Sequence, residues 1–201
     1  MLSEKAREEI RRQMSRYPNA RSALMPALYI AQADAGGWLA PEAVADVAET
    51  MGLTTADVQG VASFYSMYYK APVGRYMIDV CHNITCSLLG AGDLLRHALD
   101  RLGVAEGETT PDGLFTVKGA ECLAACGGAP ACQVNGIYHE NMSAEKLDAL
   151  LDRLRAEADN ECGMRNAECG VSGPAAPDPA LAGFPIPHST LRTPHSPEGK
   201  R

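Results

Sequence analysis

Arg75-Tyr76-Met77-Ile78-Asp79-Val80-Cys81-His82-Asn83-Ile84-Thr85-Cys86 is the stretch that decides how this chain folds. Its first six residues alternate in character, as a half-buried strand does, and the run ends at Cys81. Cys81 and Cys86 then make a C-x4-C pair at a strand-to-loop junction. A second pair, spaced C-x3-C, lies in Glu121-Cys122-Leu123-Ala124-Ala125-Cys126, with thirty-five residues between Cys86 and Cys122. Two thiolate pairs brought together are the donor set of a two-iron cluster, in which each iron takes two protein sulfurs and shares two bridging sulfides.

Downstream of the first pair, Leu88 to Leu102 reads as a helix with Leu89, Leu94, Leu95, Ala98 and Leu102 facing in. Gly107 to Gly113 is rich in turn residues, and Leu114 to Lys118 reads as a second strand. Ala131 to His139 reads as a strand, an Asn135-Gly136 turn and a return strand. Ser143 then caps a helix bearing Leu147, Leu150, Leu151 and Leu154. This order, βα followed by ββα with one extra strand, suits a small thioredoxin-like α/β sandwich.

Upstream, the period is helical. Ser3 caps a helix with Ala6, Ile10 and Met14 on one face, which ends before Pro18. A second helix from about Ser22 carries Leu24, Ala27, Leu28 and Ala31, tolerates Pro26 in its first turn, and stops at Gly36-Gly37. A third opens on Pro41, turns Val44, Val47, Ala48 and Met51 inward, and stops at Gly52. Thr54-x-x-Asp57 resembles a capping box for a fourth, with Val58, Val61, Ala62 and Tyr65 at helical spacing. Trp38 falls in a loop.

The fold class expected is therefore α/β (α+β). An N-terminal helical module spans residues 1–72, and a sheet-bearing domain with the four cysteines spans 73–158. From Asp159 to Arg201 the composition shifts to Gly, Pro, Ala and Ser without periodicity, the signature of a disordered tail.

Composition narrows the classes. The net charge of −7 argues against a nucleic-acid partner. No run approaches the ~18 apolar residues of a membrane span, and the N-terminal Met-Leu-Ser-Glu-Lys has no apolar signal core. The expectation is a cytoplasmic chain without direct membrane insertion. There clustered cysteines point to metal or catalysis rather than disulfides.

A structural zinc usually takes its thiolates from tight C-x2-C knuckles. Both pairs here are wider, which gives backbone N–H groups room to point at sulfur, and Leu123-Ala124-Ala125 and Gly127-Gly128-Ala129 are small enough for close approach. A zinc adaptor module remains the rival from another class, and buried apolar cysteines are the bland alternative. There is no G-x-G-x-x-G after a strand, no P-loop, no C-x-x-C redox pair and no nucleophile–base set.

The residues from about Ser22 to Leu154 resemble the 24 kDa (E-type) subunits of respiratory complex I, NADH:quinone oxidoreductase, within the thioredoxin-like 2Fe-2S ferredoxin family. The stretches that carry the resemblance are Gly60-Val61-Ala62-Ser63-Phe64-Tyr65 and Pro72-Val73-Gly74-Arg75-Tyr76, then Cys81 to Cys86 with Leu88 and Gly90-Ala91, and Glu121 to Cys126 with Ala129-Pro130. The tail after Asp159 is not covered. The resemblance implies one 2Fe-2S cluster on Cys81, Cys86, Cys122 and Cys126. It also implies docking on a partner subunit that binds FMN and NADH, among other peripheral-arm subunits, at the cytoplasmic face of the inner membrane. The related diaphorase subunits of NAD-linked hydrogenases and formate dehydrogenases are the alternative within the class.

Other residues invite weighing. Cys132, six past Cys126, reads as a buried core thiol, and the resemblance puts an apolar residue there. Cys162 and Cys169 read as exposed, reduced thiols of the tail. His82 reads as a solvent-facing loop residue, although His replaces Cys in Rieske centres. Phe64, Tyr65, Tyr68 and Tyr69 read as core and interface packing, and Pro130 is a candidate for a cis peptide, as in thioredoxin-like folds.

Overall fold

The computed structural model describes residues 1–164, the last four through the backbone alone. Four helices come first: α1 (Glu4–Met14), α2 (Leu24–Asp34), α3 (Pro41–Met51) and α4 (Thr55–Phe64). Several boundaries have a local cause. The Ser3 hydroxyl accepts from the Ala6 N–H at 3.2 Å, and the Thr54 hydroxyl from the Asp57 N–H at 3.1 Å. Gly52 takes φ 67°, the left-handed cap that ends α3. A single 3-10 turn, Ala20–Ala23, leads into α2.

The stripes expected on these helices pack on one another. Ile10, Ala27, Leu28, Ala31, Val47 and Val58 are wholly buried in one apolar cluster that runs from Leu2 to Tyr68. The aromatic run departs from expectation. Helix α4 ends at Phe64, so Tyr65 to Tyr69 lie beyond it, and Phe64 itself is exposed. Tyr68 folds back into the helical cluster and donates its hydroxyl to the Met25 carbonyl at 2.9 Å. That bond satisfies a phenol that would be costly to bury alone.

The sheet begins after Gly74. Its strands are β1 (Tyr76–Cys81), β2 (Phe115–Ala120), β3 (Cys132–Val134) and β4 (Ile137–His139), in the order β2-β1-β3-β4. β1 and β2 run parallel, while β1–β3 and β3–β4 are antiparallel. The parallel pair needs a crossover, which α5 (Ile84–Leu88) and α6 (Ala91–Leu102) supply. The Asn135-Gly136 turn takes φ 47° and 91°, as its sequence suggests, and Asn135 is stitched to β1 through the Met77 N–H at 2.8 Å. Ile78, Val80, Phe115, Val117 and Val134 on one face of the sheet meet Leu94 and Ala98 of α6. They also meet Leu147 and Leu151 of α7 (Ala144–Met164). Burying each such side chain is worth about 1.5–3 kcal/mol.

Further boundaries differ from the sequence reading: β2, expected over Leu114–Lys118, runs over Phe115–Ala120. The helix expected over Leu88–Leu102 is two helices, because Gly90 takes φ 91° between them. Leu89 falls at the end of α5 and is exposed rather than core-facing. The last helix runs on past Asp159 to Met164. Ala158, one turn after Leu154, is buried and prolongs the apolar stripe, and no proline intervenes before Pro174. The rest of the expected tail, including Cys169, lies outside the described residues, as does the side chain of Cys162.

Candidate metal centre

The parallel register decides where the cysteines meet. Tyr76 to Cys81 pair in step with Phe115 to Ala120, so the two strands end side by side. Cys81 is the last residue of β1, and Cys122 follows β2 by two residues. Both cysteine loops therefore leave the carboxyl end of the same parallel pair, where α/β sheets commonly hold their ligands. The ends are tied: the His82 N–H donates to the Ala120 carbonyl at 3.0 Å, and the Cys81 N–H to the Ala131 carbonyl at 3.1 Å.

The first loop is more ordered than a plain loop reading suggests. Asn83 accepts from the Ile84 N–H at 2.9 Å and opens α5, on which Cys86 sits. Cys81 and Cys86 are buried in a small cluster with Ala91, Leu123 and Ala131, flanked by Ala120, Ala125 and Ala129. Cys122 and Cys126 are exposed. Ala124 between them takes φ 56°, a strained value for a residue with a Cβ. That turn aims the Ala124 N–H at the Cys122 sulfur, 3.3 Å away.

Backbone donors also reach the buried pair. Burial works against ionisation of Cys81, but N–H groups of Asn83 and Leu123 and the Cys86 thiol donate to its sulfur and bring its pKa below the ordinary thiol value. Leu123 comes from the second loop and is buried in one cluster with Cys81 and Cys86, so the two cysteine loops meet. For Cys86, burial comes first and raises the pKa; the Ala131 N–H opposes it, while Cys81 and Cys126 reinforce it.

The donor set can be tested against candidate groups. Among the described residues, no three His, Cys, Asp or Glu side chains converge as a single metal ion requires. A two-iron cluster asks for two thiolates at each iron, and small residues with N–H groups directed at sulfur suit it. The two cysteine pairs and their small neighbours suit a two-iron cluster.

The neighbours fall as follows. Cys132 is wholly buried on β3 in the core between sheet and helices, where burial pushes its thiol up to about 12. His82 is exposed, 3.9 Å from Glu121. The Ala129–Pro130 peptide is cis. Sequence reasoning missed Glu106, whose carboxylate accepts from the Gly119 N–H at 2.7 Å beside His82, and no motif announces it. It also missed the close approach of Gly128 to Glu140, where a Cβ would overlap the Glu140 side chain. The Asn141 N–H donates to the Gly128 carbonyl at 2.6 Å, fastening the second loop to the segment before α7.

Comparisons with known proteins point to one family. A family model described as thioredoxin-like [2Fe-2S] ferredoxin matches residues 10–155. The chain is 45% identical over 150 residues to a Rhizobium meliloti protein, the E-type chain (number 2) of NADH-quinone oxidoreductase, covering 75% of this chain and 89% of that one. It is 43% identical over 145 residues to NADH-quinone oxidoreductase subunit 2 of Thermus thermophilus, covering 71% and 80%. Among solved structures, it superposes on an NAD+-reducing [NiFe]-hydrogenase in the air-oxidized state with a TM-score of 0.57 and 25% identity. That match covers 67% of this chain but only 23% of the hydrogenase chain. No helix among the described residues is long and apolar enough to cross a membrane.

Proposed function

This chain belongs to the thioredoxin-like [2Fe-2S] ferredoxin family, and from that premise we propose that it is the E-type electron-transfer subunit of an NADH-quinone oxidoreductase, holding one 2Fe-2S cluster on Cys81, Cys86, Cys122 and Cys126. The observation that carries the ligand set is the meeting of the two loops: parallel strands deliver both, and Leu123 of one is buried in the same small cluster as Cys81 and Cys86 of the other. The cluster, when bound, supplies reversible one-electron chemistry.

The chain's own residues do the rest. Cys81 and Cys86 are held in a water-poor pocket of alanines and Leu123. N–H groups of Asn83, Leu123, Ala124 and Ala131 point at cysteine sulfurs, and such donors set the potential of a cluster. Cys122 and Cys126 face outward, and the nearby helix α5 exposes Ile84, Leu88 and Leu89. An apolar rim beside a one-electron centre suits a partner surface. We assign that partner as the subunit that binds FMN and NADH, with further peripheral-arm subunits around it. The assembly then sits at the cytoplasmic face of the inner membrane, and this chain has no NADH or flavin site of its own.

Residues 1–72 serve as a helical docking module and 73–158 as the cluster domain, and α7 gives the latter a helical extension to Met164. The likeness to an NAD+-reducing hydrogenase chain reflects a shared fold, and the higher identity of the quinone-reductase relatives favours the first assignment. Alanine at each of Cys81, Cys86, Cys122 and Cys126 in turn is the test. Each should lose or degrade the visible cluster spectrum, while Cys132→Ala keeps it. A bleached Cys132→Ala together with a coloured Cys126→Ala overturns the ligand assignment.

A further inference from the structure

One polar group of side chains serves neither the ligand set nor the core. Asp79 of β1 and Lys118 of β2 are register partners, with Lys118 Nζ 3.6 Å from Asp79 Oδ1. Both are mostly buried, with side chains 16% and 26% exposed. Tyr69 completes the group: its hydroxyl donates to Asp79 Oδ2 at 3.4 Å, and its ring centre lies 4.8 Å from the Lys118 ammonium. Lys118 Nζ also donates to the Ser66 carbonyl at 3.3 Å.

Tyr69 is at the same time bound to the helices. Its N–H donates to Gln32 Oε1 at 2.8 Å, and its carbonyl accepts from the Leu39 N–H at 2.7 Å. Gln32 is itself buried in α2 and donates to the Met67 carbonyl at 3.2 Å. The segment thus has one side anchored to the helices and the other to the sheet.

Among the described residues, no buried apolar cluster spans both parts. The apolar cluster of the helices ends at Tyr68, and that of the sheet begins at Tyr76. Apolar contacts are non-directional, whereas a mostly buried ion pair bonded to a third group specifies one geometry, the best-attested use of such pairs. The two charged residues sit close to the cysteines in sequence: Asp79 is two before Cys81, and Lys118 four before Cys122.

We infer that Tyr69, Asp79 and Lys118 form a clasp that fixes the N-terminal helices to the two strands delivering the cysteine loops, so that a partner gripping the helices also orients the cluster. Tyr69 and Lys118 are then positioning residues for electron delivery. The orientation step rests on the proposed electron-transfer role; the clasp stands on the geometry.

The test uses the full chain with its cluster and the flavin-bearing subunit co-purified from the same complex. Trypsin cleavage after the exposed Lys70, beside the clasp, reports its opening. Lys118→Met should speed that cleavage about tenfold, because cleavage tracks the open population and a charged partner has been removed. Tyr69→Phe, which keeps the ring and loses only the hydroxyl, should speed it less, and Lys118→Arg should restore slow cleavage. The dithionite-reduced spectrum should be unchanged in all three, while NADH-driven reduction through the partner slows in Lys118→Met and Tyr69→Phe. Unchanged cleavage in both variants overturns the clasp, and faster cleavage with unchanged NADH-driven reduction overturns the positioning role. Should Lys118→Met fail to fold, Tyr69→Phe decides alone. A wild-type chain without a cluster would sink the electron-transfer reading, yet the cleavage rates would still judge the clasp.

Discussion

Gly74→Ala isolates how the strand that ends at Cys81 is seated. A Cβ at Gly74 would lie 2.7 Å from the Phe115 carbonyl carbon and 2.9 Å from both the Leu114 oxygen and the Phe115 nitrogen. All three are backbone atoms of the neighbouring chain segment, so no rotamer relieves them. The strands must part by roughly half an ångström or more to restore van der Waals contact. That movement opposes the bonds from Gly74 N–H to Thr116 Oγ1 and from Tyr76 N–H to the Leu114 carbonyl, each at 2.7 Å. Overpacking of this kind costs about 1–3 kcal/mol. Gly74 has no left-handed φ, so alanine also restricts the unfolded chain, a gain of about 0.4–1 kcal/mol. The net is a loss of about 1–2 kcal/mol, or roughly 2–8 °C in Tm for a chain of this size. Gly60→Ala is the internal control. Gly60 is helical and exposed in α4, and nothing lies within 4 Å of its would-be Cβ. Alanine there should therefore stabilise by about 0.5–1 kcal/mol. Urea unfolding followed by far-ultraviolet circular dichroism, with both variants beside the wild type, reads the two signs. Equal stabilisation by both substitutions would refute the close approach of Gly74 to β2.

Three further outcomes follow from the same contacts. Phe115 is wholly buried and stacked on Tyr76 with ring centres 5.6 Å apart, so Phe115→Ala should cost about 3–5 kcal/mol in the same unfolding assay. Burial, aided by Arg153, lowers the pKa of His139 below its ordinary 6.5. The unfolded chain then takes up the proton more readily, so stability falls as pH drops below 6.5 and levels off under the native pKa. His139→Gln should flatten that part of a plot of urea midpoint against pH, and an unchanged slope would count against burial of the imidazole. Ala124→Gly should keep the cluster spectrum and raise stability by about 1 kcal/mol, because glycine accepts a positive φ without strain; a destabilised, bleached variant would contradict the turn.

Much of this is legible in the sequence itself. Ser3, Pro41, Gly52, Thr54 and Ser143 mark helix ends by local chemistry, and the stripe of Leu147, Leu150, Leu151 and Leu154 needs nothing beyond its period. Alternation gives β1, and Asn135-Gly136 gives the hairpin. The four cysteines stand out because they form two loop-borne pairs, whereas Cys132 reads as a strand residue and is one. What the sequence concealed depends on partners distant along the chain. Leu89 matches the helical period, and only the φ of Gly90 turns it to solvent. The Tyr69–Asp79–Lys118 group is built from residues ten and forty-nine positions from Tyr69, and no spacing rule joins them. Asp79 in a strand reads simply as an outward polar residue, and its burial depends on what lies over that face.

The central claim is that two cysteine loops hold two irons and two sulfides. Iron and acid-labile sulfide should be counted on the full chain purified without oxygen, together with electron paramagnetic resonance of the dithionite-reduced sample. The account predicts two irons and two sulfides per chain and the S = 1/2 signal of a reduced 2Fe-2S cluster. A colourless chain holding one zinc and no sulfide would contradict it.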